Sequence, residues 1–509
     1  MICRSTIIRP PLCETSSLAL FLFPFLFPFL LVSLAHDAHA APTEPPAEPA
    51  AAAAPMSSPA TATAPMSDPD APPEPPTETA TTDAPAPTKT KKKKRKIRRP
   101  RAQGQHDQQG QHDQQGTDND PDGAQKANAA DPLAKHRPVQ ISTGKRSSLT
   151  IAGTLESFYA YNFNRPSNGI TNFRAFDDQH NSITLQNAAI DAFWSSERVY
   201  ARIALQAGRA PTAASAPAPL SYDEAPPEEP SLFRNIQRAY AGAHPFADAP
   251  VFVEAGIFLS PIGYEGISIH ENWHWSHSPI FLALPFYHTG FKIGADIGAA
   301  HRVKLAIYNG WNNIRDNNPE KSLAFEYGYT PSSRFSLAAV YFTGVERGVG
   351  APEGRAWRHV INVAARGSAH PRLGLVGNLN LGIEPNLFGS SRWIAANAGL
   401  RVEAMPWLFV AGRGTIIGEH RANAGGLASP IVLANFTENP QQWMGAATLT
   451  LDLRPVPDHF ALKLEYRHDQ ARSSIFFRGS VAGSGTADDR YIANARGQDT
   501  LTLGLHAWF

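Results

Sequence analysis

The chain has 509 residues, a formal net charge of +1 and only 18% charged residues. This balance argues against nucleic acid as the main partner, because nucleic-acid binding needs a basic surface over the folded part. Residues 41–146 are rich in Ala, Pro, Gln, Asp and Lys, whereas the chain from Leu149 onward is rich in Phe, Tyr, Trp, Leu and Gly. The part able to form an apolar core therefore begins near Leu149.

The N-terminus carries the features of a secretory signal. Arg4 and Arg9 precede an apolar run at 18–34, and Ala38-His39-Ala40 has the small-x-small pattern of a signal peptidase site. We therefore predict a signal peptide at 1–40. An uncleaved membrane anchor is the alternative, which two prolines within the run disfavour. Both cysteines of the chain precede the run, so the mature chain would contain no disulfide.

Residues 41–148 predict a disordered extension that is first Ala/Pro-rich and then basic. Ala-Pro runs offer too little apolar area to offset the entropy of the chain. The basic segment Lys91–Arg101 could bind an anionic polymer such as the cell wall, and a solvated charged linker is the alternative. Since the extension precedes the first predicted strand, we expect it to lie in the periplasm.

The rest of the chain lacks any apolar run near the ~18 residues that a membrane helix requires. The longest candidate, Pro279–Phe286, is far too short. A membrane protein without spanning helices has to be a closed barrel, because any other backbone leaves unpaired N–H and C=O groups in hydrocarbon. Apolar and polar residues alternate over Phe460–Arg467, as in a strand with one face toward lipid and one toward a lumen. The segments of this kind reach about ten residues, the length that spans a bilayer as a tilted strand.

We therefore predict an all-β, transmembrane, antiparallel up-and-down β-barrel of about 16 strands over 149–509, with 12–18 strands compatible with the pattern. The predicted strands are 149–163, 182–194, 199–210, 234–244, 251–259, 286–298, 302–311, 321–330, 335–343, 355–366, 373–384, 391–405, 408–419, 443–453, 460–471 and 499–509. Every second connection is short, which is typical of periplasmic turns, and the others are mostly long, like external loops. The last strand ends on Phe509, which resembles the C-terminal signal that the barrel-assembly machinery recognises.

Four segments resemble the outer-membrane β-barrel porin-2 family. They are GTLESFYAYNFNRP at 153–166, ITLQNAA at 183–189, NWHWS at 272–276 and PFYHTG at 285–290. Together with the last strand, the resemblance covers 149–509 and excludes the extension. It implies passage of solutes through the outer membrane, names no solute and carries no catalytic residue.

Sixteen strands would enclose an aqueous channel wide enough for small polar solutes. Alternation predicts a set of charged, inward-facing, pore-lining residues. They are Glu156, Arg202, Glu254, Lys292, Asp296, Lys304, Glu326, Arg401, Glu403, Arg413, Lys463, Glu465 and Arg467. Because basic and acidic members are nearly balanced, we expect weak ion selectivity unless the charges segregate across the pore. The alternative is that many of them pair to stabilise the wall.

The long connection at 260–285 is unusually rich in aromatic residues and histidines. An external loop of this kind would be poorly solvated, so we predict that it folds into the lumen as a constriction, with packing against the wall as the alternative. The candidate constriction residues are Tyr264, His270, Asn272, Trp273, His274 and Trp275. The spacing of His270, His274 and His277 would place them on one helical face, but no supporting partner is identifiable. We predict no metal site and no cofactor.

The sequence thus predicts an outer-membrane porin for passive diffusion of small polar solutes or ions, surrounded by outer-membrane lipid. A homotrimer follows from analogy with porins alone. One alternative is a structural, adhesive or cell-wall-tethering barrel with a closed lumen. An outer-membrane hydrolase is the less favoured alternative, because His468 and Asp469, near Ser473, would point to opposite faces of a strand and make no catalytic triad. We therefore predict that the protein is not an enzyme.

Overall fold

The computed structural model describes residues 138–211, 231–422, 439–486 and 489–509. The predicted signal peptide at 1–40 lies outside the described residues. So does the predicted disordered extension up to residue 137, including the basic segment Lys91–Arg101.

Seventeen antiparallel strands form one sheet in the described part of the chain. They are β1 Val139–Gly144, β2 Ser147–Asn162, β3 Ser182–Ser196, β4 Val199–Ala207, β5 Ile236–Ala243, β6 Val251–Leu259, β7 Tyr287–Ile297, β8 His301–Tyr308, β9 Ser322–Ser332, β10 Phe335–Val345, β11 Trp357–His370, β12 Leu373–Asn386, β13 Gly389–Met405, β14 Leu408–His420, β15 Gln441–Val456, β16 Phe460–Ala471 and β17 Gly497–Trp508. A short helix, α1, spans Pro279–Leu282. No helix in the described residues is long and apolar enough to cross a membrane.

Strands β2 to β17 close into a sixteen-strand barrel. Each strand pairs with its neighbour in the chain, and β17 pairs with β2 from Trp508 opposite Thr154 to Thr500 opposite Asn162. Closure pairs the backbone groups of every strand on both edges, as an element surrounded by hydrocarbon requires. The predicted fold is confirmed, and each of the sixteen predicted strands corresponds to one strand of the barrel.

Strand β1 is a departure from the prediction, since residues 139–148 were expected to be disordered. β1 pairs with the start of β2, from Val139 opposite Ile151 to Ser142 opposite Ser148. The cause lies in the unequal lengths of the strands, because β17 reaches only as far as Gly153, whose N–H and C=O bond to Phe509. The remaining edge of β2 would carry unpaired N–H and C=O groups, and β1 covers it.

The two faces of the barrel differ as the alternation predicts. On β17, Leu501, Leu503 and Leu505 are 40%, 51% and 37% exposed, whereas Thr500 and Thr502 are buried. The leucines lie on the outer face and the threonines on the inner face. This apolar outer surface is the one that a lipid bilayer solvates.

The connections alternate in length around the barrel. We call the end of the barrel that carries the two- to seven-residue turns, such as 197–198 and 406–407, the short-turn end. The opposite end, the long-loop end, carries 163–181, 208–235, 260–286, 309–321, 346–356, 421–440 and 472–496, together with the two-residue turn at 387–388. The alternation matches the prediction except at 387–388.

The closing seam generates a testable prediction. The ring of Phe509 lies over Gly153 of the neighbouring strand, where a Cβ would overlap it, so the ring covers backbone that glycine leaves bare. We expect Phe509→Ala to lower the free energy of unfolding by about 1 kcal/mol, the scale of a cross-strand pair. The loss would appear as a lower midpoint of the heat-induced mobility shift of the folded barrel in gels. Phe246→Ala is the control, because Phe246 lies exposed in the turn 244–250. Equal shifts for both variants would contradict the role of the seam contact.

Candidate functional site

The connection between β6 and β7, residues 260–286, occupies the interior of the barrel, and we call it the lumen loop. It contains a 3-10 turn at Ile269–Glu271 and the helix α1, and nearly all of its residues are buried. It starts from β6 and ends in β7, yet it contacts inner-face side chains of β2 and of β11 to β17. The loop therefore crosses the lumen.

Two carboxylates of the wall hold the backbone of the lumen loop. The N–H groups of Trp275 and Ser276 donate to the two carboxylate oxygens of Glu465, at 2.6 and 2.9 Å. The N–H of Ile269 donates to Glu156 Oε1 at 2.7 Å. An irregular backbone segment lacks ladder partners of its own, so buried N–H groups of this kind need acceptors from side chains. Both glutamates are fully buried and supply these acceptors.

Three cations of the wall hold the carbonyl groups of the same loop. Lys463 donates to the carbonyl oxygen of Asn272 at 2.6 Å, Arg467 to that of His277 at 2.7 Å and Arg413 to that of Ser276 at 3.0 Å. Arg413 also forms an ion pair with Glu265 of the loop, at 2.5 Å. Buried charges are tolerated where they are paired and hydrogen-bonded, and here the loop provides the partners.

The two tryptophans of the loop rest on glycines of the wall. The indole of Trp275 lies where a Cβ of Gly504 would be, and it contacts Phe158 with ring centroids 6.3 Å apart. The indole of Trp273 lies 2.9 Å from the position of a Cβ on Gly374. At both places the absence of a side chain lets a large ring approach the strand closely. The wall is therefore shaped to receive this loop.

The candidate constriction residues are mostly buried in the lumen. Tyr264, Asn272, Trp273, His274 and Trp275 are at most 8% exposed and face the wall or the rest of the loop. His270 alone among the candidates keeps intermediate exposure, beside the rings of His506 and Trp508 with centroids 5.7 and 5.6 Å away. The tryptophan faces consequently pack against protein and do not face solvent.

The expectation that three histidines share one helical face is wrong. The 3-10 turn that contains His270 ends at Glu271, and α1 begins only at Pro279. His274 Nδ1 lies 2.8 Å from Thr450 Oγ1, and His277 Nε2 lies 2.7 Å from the carbonyl oxygen of Gly266. Within the described ranges no group of three or more His, Cys, Asp or Glu side chains is arranged to hold a metal ion.

The predicted inward-facing charges all lie on strands of the barrel, at positions that alternate with exposed apolar residues. Ten are buried, namely Glu156, Glu254, Lys292, Lys304, Glu326, Arg401, Arg413, Lys463, Glu465 and Arg467. Arg202, Asp296 and Glu403 have intermediate exposure. Several pair along the wall, for example Lys304 with Glu326 at 3.7 Å and Arg401 with Asp452 at 3.2 Å.

A second group of charges, three of them partly exposed, joins β3, β4 and β5 to the lumen loop. Arg202 pairs with Asp191 at 2.9 Å, and Arg238 lies 3.9 Å from Asp191 and 4.0 Å from Glu271 of the lumen loop. The side chains of Arg202, Asp191 and Glu271 are 15%, 21% and 27% exposed. We call these four residues the charged gap. They bring the loop and the facing wall within ion-pair distance.

Sequence reasoning found one member of the charged gap, Arg202, and missed the other three. Arg238 stands at an inward position of β5, where it alternates with Tyr240 and Gly242, and that alternation was a signal that could have found it. Asp191 stands at an inward position of β3, and that alternation was the signal that could have found it. Glu271 belongs to the lumen loop, whose path no local pattern predicts.

Burial shifts the pKa of several groups in the loops. Desolvation lowers the pKa of His274 well below its usual value, and the nearby cations Arg413, Lys463, Arg401 and Arg467 lower it further. Burial likewise raises the pKa of the Tyr264 hydroxyl and of the Asp177 carboxyl in the loop 163–181. These groups favour their neutral forms in the folded protein.

His468 and Asp469 lie on opposite faces of β16. His468 is 46% exposed on the outer face, where its Nδ1 lies 2.8 Å from Asp499 Oδ1. Asp469 is fully buried on the inner face and accepts a hydrogen bond from Arg467 Nε at 2.7 Å. The two neighbours point apart, as strand geometry requires.

A closed sixteen-strand barrel with an apolar outer face, a polar inner face and a loop inside the lumen defines the class of outer-membrane β-barrel porins. A family model described as "Putative beta-barrel porin-2, OmpL-like" matches residues 148–505. The chain therefore belongs to this family, as the four sequence segments indicated, and is an outer-membrane porin.

Among curated proteins, no sequence matches this chain. Solved structures that resemble it include in-vitro folded OmpT, an outer membrane protein of Vibrio cholerae, with 8% identity, 73% of this chain and 100% of that chain covered, and a TM-score of 0.46. The outer membrane channel DcaP of Acinetobacter baumannii has 9% identity, 72% and 99% coverage, and a TM-score of 0.45. An anion-selective porin from Comamonas acidovorans has 10% identity, 71% and 100% coverage, and a TM-score of 0.44.

The carboxylate of Glu465 generates a second prediction. Glu465→Ala would leave two loop N–H groups and the Thr450 hydroxyl, which donates to Glu465 at 2.8 Å, without their acceptor. We expect the free energy of unfolding to fall by about 3 kcal/mol, since buried donors lose a charged partner. Denaturant unfolding of the barrel in lipid vesicles, followed by tryptophan fluorescence, measures the change. Glu403→Ala removes a partly exposed inner-face carboxylate and is expected to change stability by much less. A loss as large in this control would contradict the anchoring role of Glu465.

The environment of His274 generates a prediction about pH. Its pKa is lower in the folded than in the unfolded chain, so between the two values only the unfolded chain binds the proton. The contribution of His274 to the free energy of unfolding is therefore fully present above the unfolded pKa of about 6.5, and it declines as the pH falls below that value. We expect His274→Gln to flatten this decline between about pH 6.5 and pH 5, measured as unfolding free energy at several pH values. An unchanged slope in the variant would show that His274 is not the responsible group.

Proposed function

We propose that the barrel allows passive diffusion of small polar solutes or ions through the part of the lumen that the loop leaves open. The observation that carries the proposal is the charged gap, because Asp191, Arg202 and Glu271 retain solvent exposure in the interior of the barrel. The lumen loop acts as the constriction, and Tyr264, His270, Asn272, Trp273, His274 and Trp275 hold it against the wall. We also propose that the protein acts as a channel without catalysis.

The inward-facing charges have two roles in this proposal. Those of β13 to β16, such as Arg413, Lys463 and Glu465, anchor the loop and are removed from contact with solute. Those of the opposite wall, such as Arg202 and Asp296, line the pore with their partners. Because both signs are present in the charged gap, we expect weak selectivity between anions and cations.

A structural barrel with a closed lumen is the second candidate. It is favoured by other loops that also enter the long-loop end. Asn172 Nδ2 donates to the carbonyl oxygen of Ile475 at 2.7 Å, and the buried rings of Phe173 and Phe476 pack with centroids 5.7 Å apart. These contacts reduce the space available for solute beside the lumen loop.

The barrel also has an orientation in the membrane, an assembly signal and an oligomeric state. We propose that the long-loop end faces outward and that the extension before β1 lies in the periplasm, where Lys91–Arg101 can bind a cell-wall polymer. Phe509 would be recognised by the barrel-assembly machinery, and the barrels would associate as homotrimers.

Single-channel conductance of the refolded protein in a planar lipid bilayer tests the proposal. We expect steady openings whose size is proportional to salt concentration, and an increase of about twofold or more when residues 262–278 are deleted, because the pore widens. Gly504→Leu is a second variant, since its side chain would displace Trp275 and loosen the loop without a deletion.

Gly377→Ala serves as the matched control, because a Cβ at Gly377 would meet open space. Silence from folded wild-type protein, together with openings in the deletion variant, would favour the closed barrel. Equal conductance in the wild type, the deletion variant and Gly504→Leu would overturn the role of the loop as a constriction.

A further inference from the structure

The loop between β16 and β17 differs in charge from every other long connection of the barrel. Residues 472–496 contain four arginines and two aspartates, which gives a formal charge of +2. The connections 163–181, 309–321, 346–356 and 421–440 are each neutral by the same count, and 208–235 and 260–286 are each −2. Positive charge at the long-loop end is therefore concentrated above one sector of the wall, formed by β16, β17 and β2.

Hydrogen bonds between the loops 163–181 and 472–496 fix the positions of the exposed arginines of this sector. The N–H of Gly479 donates to the carbonyl oxygen of Asn164 at 2.9 Å, and the N–H of Ser167 donates to that of Gly479 at 2.8 Å. Arg478 Nε donates to Asn164 Oδ1 at 3.1 Å, which joins the same two loops through side chains. These bonds bring Arg165 of the loop 163–181 next to the arginines of 472–496.

Three of these arginines have unused hydrogen-bonding capacity. The side chains of Arg165, Arg472 and Arg496 are exposed and have no ion-pair partner among the described residues. Arg472 and Arg496 lie at the base of the loop, where the N–H of Ala471 donates to the carbonyl oxygen of Arg496 at 2.8 Å. They consequently stand at the rim of the barrel, directly beyond the ends of β16 and β17.

Aromatic residues lie on the outer face just below this rim. The N–H of Arg472 donates to the carbonyl oxygen of Trp443 at 3.1 Å, and the side chain of Trp443 is 42% exposed. Phe163, the first residue of the loop 163–181, is 53% exposed. Exposed aromatic residues at such a position mark the boundary between hydrocarbon and headgroups. The arginines are therefore placed at headgroup height.

We infer that this rim, formed by Arg165, Arg472, Arg478 and Arg496, binds the phosphorylated headgroup of a membrane lipid. A guanidinium group matches a phosphate through two parallel N–H···O bonds, and clustered basic residues beside a membrane attract anionic headgroups. The acyl chains of the lipid would lie on the apolar outer face below, along Leu501, Leu503 and Leu505. This site lies on the outer surface, so lipid binding there does not depend on whether the lumen conducts.

Native mass spectrometry of the full folded barrel tests the inference. The probe is an acylated diglucosamine lipid carrying two phosphates, compared with the same lipid without phosphates and with inorganic phosphate. We expect the phosphorylated lipid to bind at least about tenfold more tightly than the unphosphorylated one, since several basic contacts add their effects. Inorganic phosphate at equal concentration should not displace it, because the acyl chains contribute to binding.

The variant Arg165→Gln/Arg472→Gln/Arg496→Gln should lose this preference for the phosphorylated lipid. The matched control, Arg198→Gln/Arg334→Gln/Arg372→Gln, removes three exposed arginines at the short-turn end and should keep it. The heat-induced mobility shift in gels verifies that both variants are folded. Equal binding by the rim variant and the wild type would overturn the inference, and so would equal loss in the control. Full displacement by inorganic phosphate would identify a site for free anions and would overturn the lipid assignment.

Discussion

The structure depends on one constraint, that a backbone surrounded by hydrocarbon must pair every N–H and C=O group within the protein. Pairing of β17 with β2 meets this constraint for the wall and at the same time encloses a lumen. Where β2 extends past the end of β17, β1 continues the pairing on its edge. The seam is thus built from three segments, and Phe509 over Gly153 marks the place where the last strand ends and β1 takes over.

The same constraint acts again inside the barrel, on a segment that has no strand partner. The lumen loop is irregular, so its buried N–H and C=O groups have to be satisfied by side chains. Glu465 and Glu156 accept its N–H groups, while Lys463, Arg467 and Arg413 donate to its carbonyl groups. The residues that the sequence predicts to line a pore therefore include a subset that anchors the loop. Charges of both signs are needed for this, because a backbone offers N–H donors as well as C=O acceptors.

The sequence alone predicted the parts of this structure that repeat along the chain. Alternation placed Glu465, Lys463 and Arg467 on the inner face, because a period of two is a local property of a strand. Composition placed the lumen loop inside, because its rings would be poorly solvated in water. The sequence could not reveal that Glu465 meets the N–H of Trp275, since that contact joins residues 190 positions apart through a path without regular geometry. The strand at Val139–Gly144 was missed because its pairing depends on how far β17 extends.

The asymmetry of the lumen follows from the side on which the loop is anchored. The buried wall charges that bond to its backbone are Glu156 on β2, Arg413 on β14 and Lys463, Glu465 and Arg467 on β16. The wall around β3 to β5 faces the loop across Arg238 and Glu271 at 4.0 Å. The carboxylate of this pair is partly exposed and the separation is 4.0 Å, so the pair is weaker than the buried contacts at Glu465 and Glu156. The loop is therefore held firmly at Glu465 and Glu156 and more weakly at the charged gap.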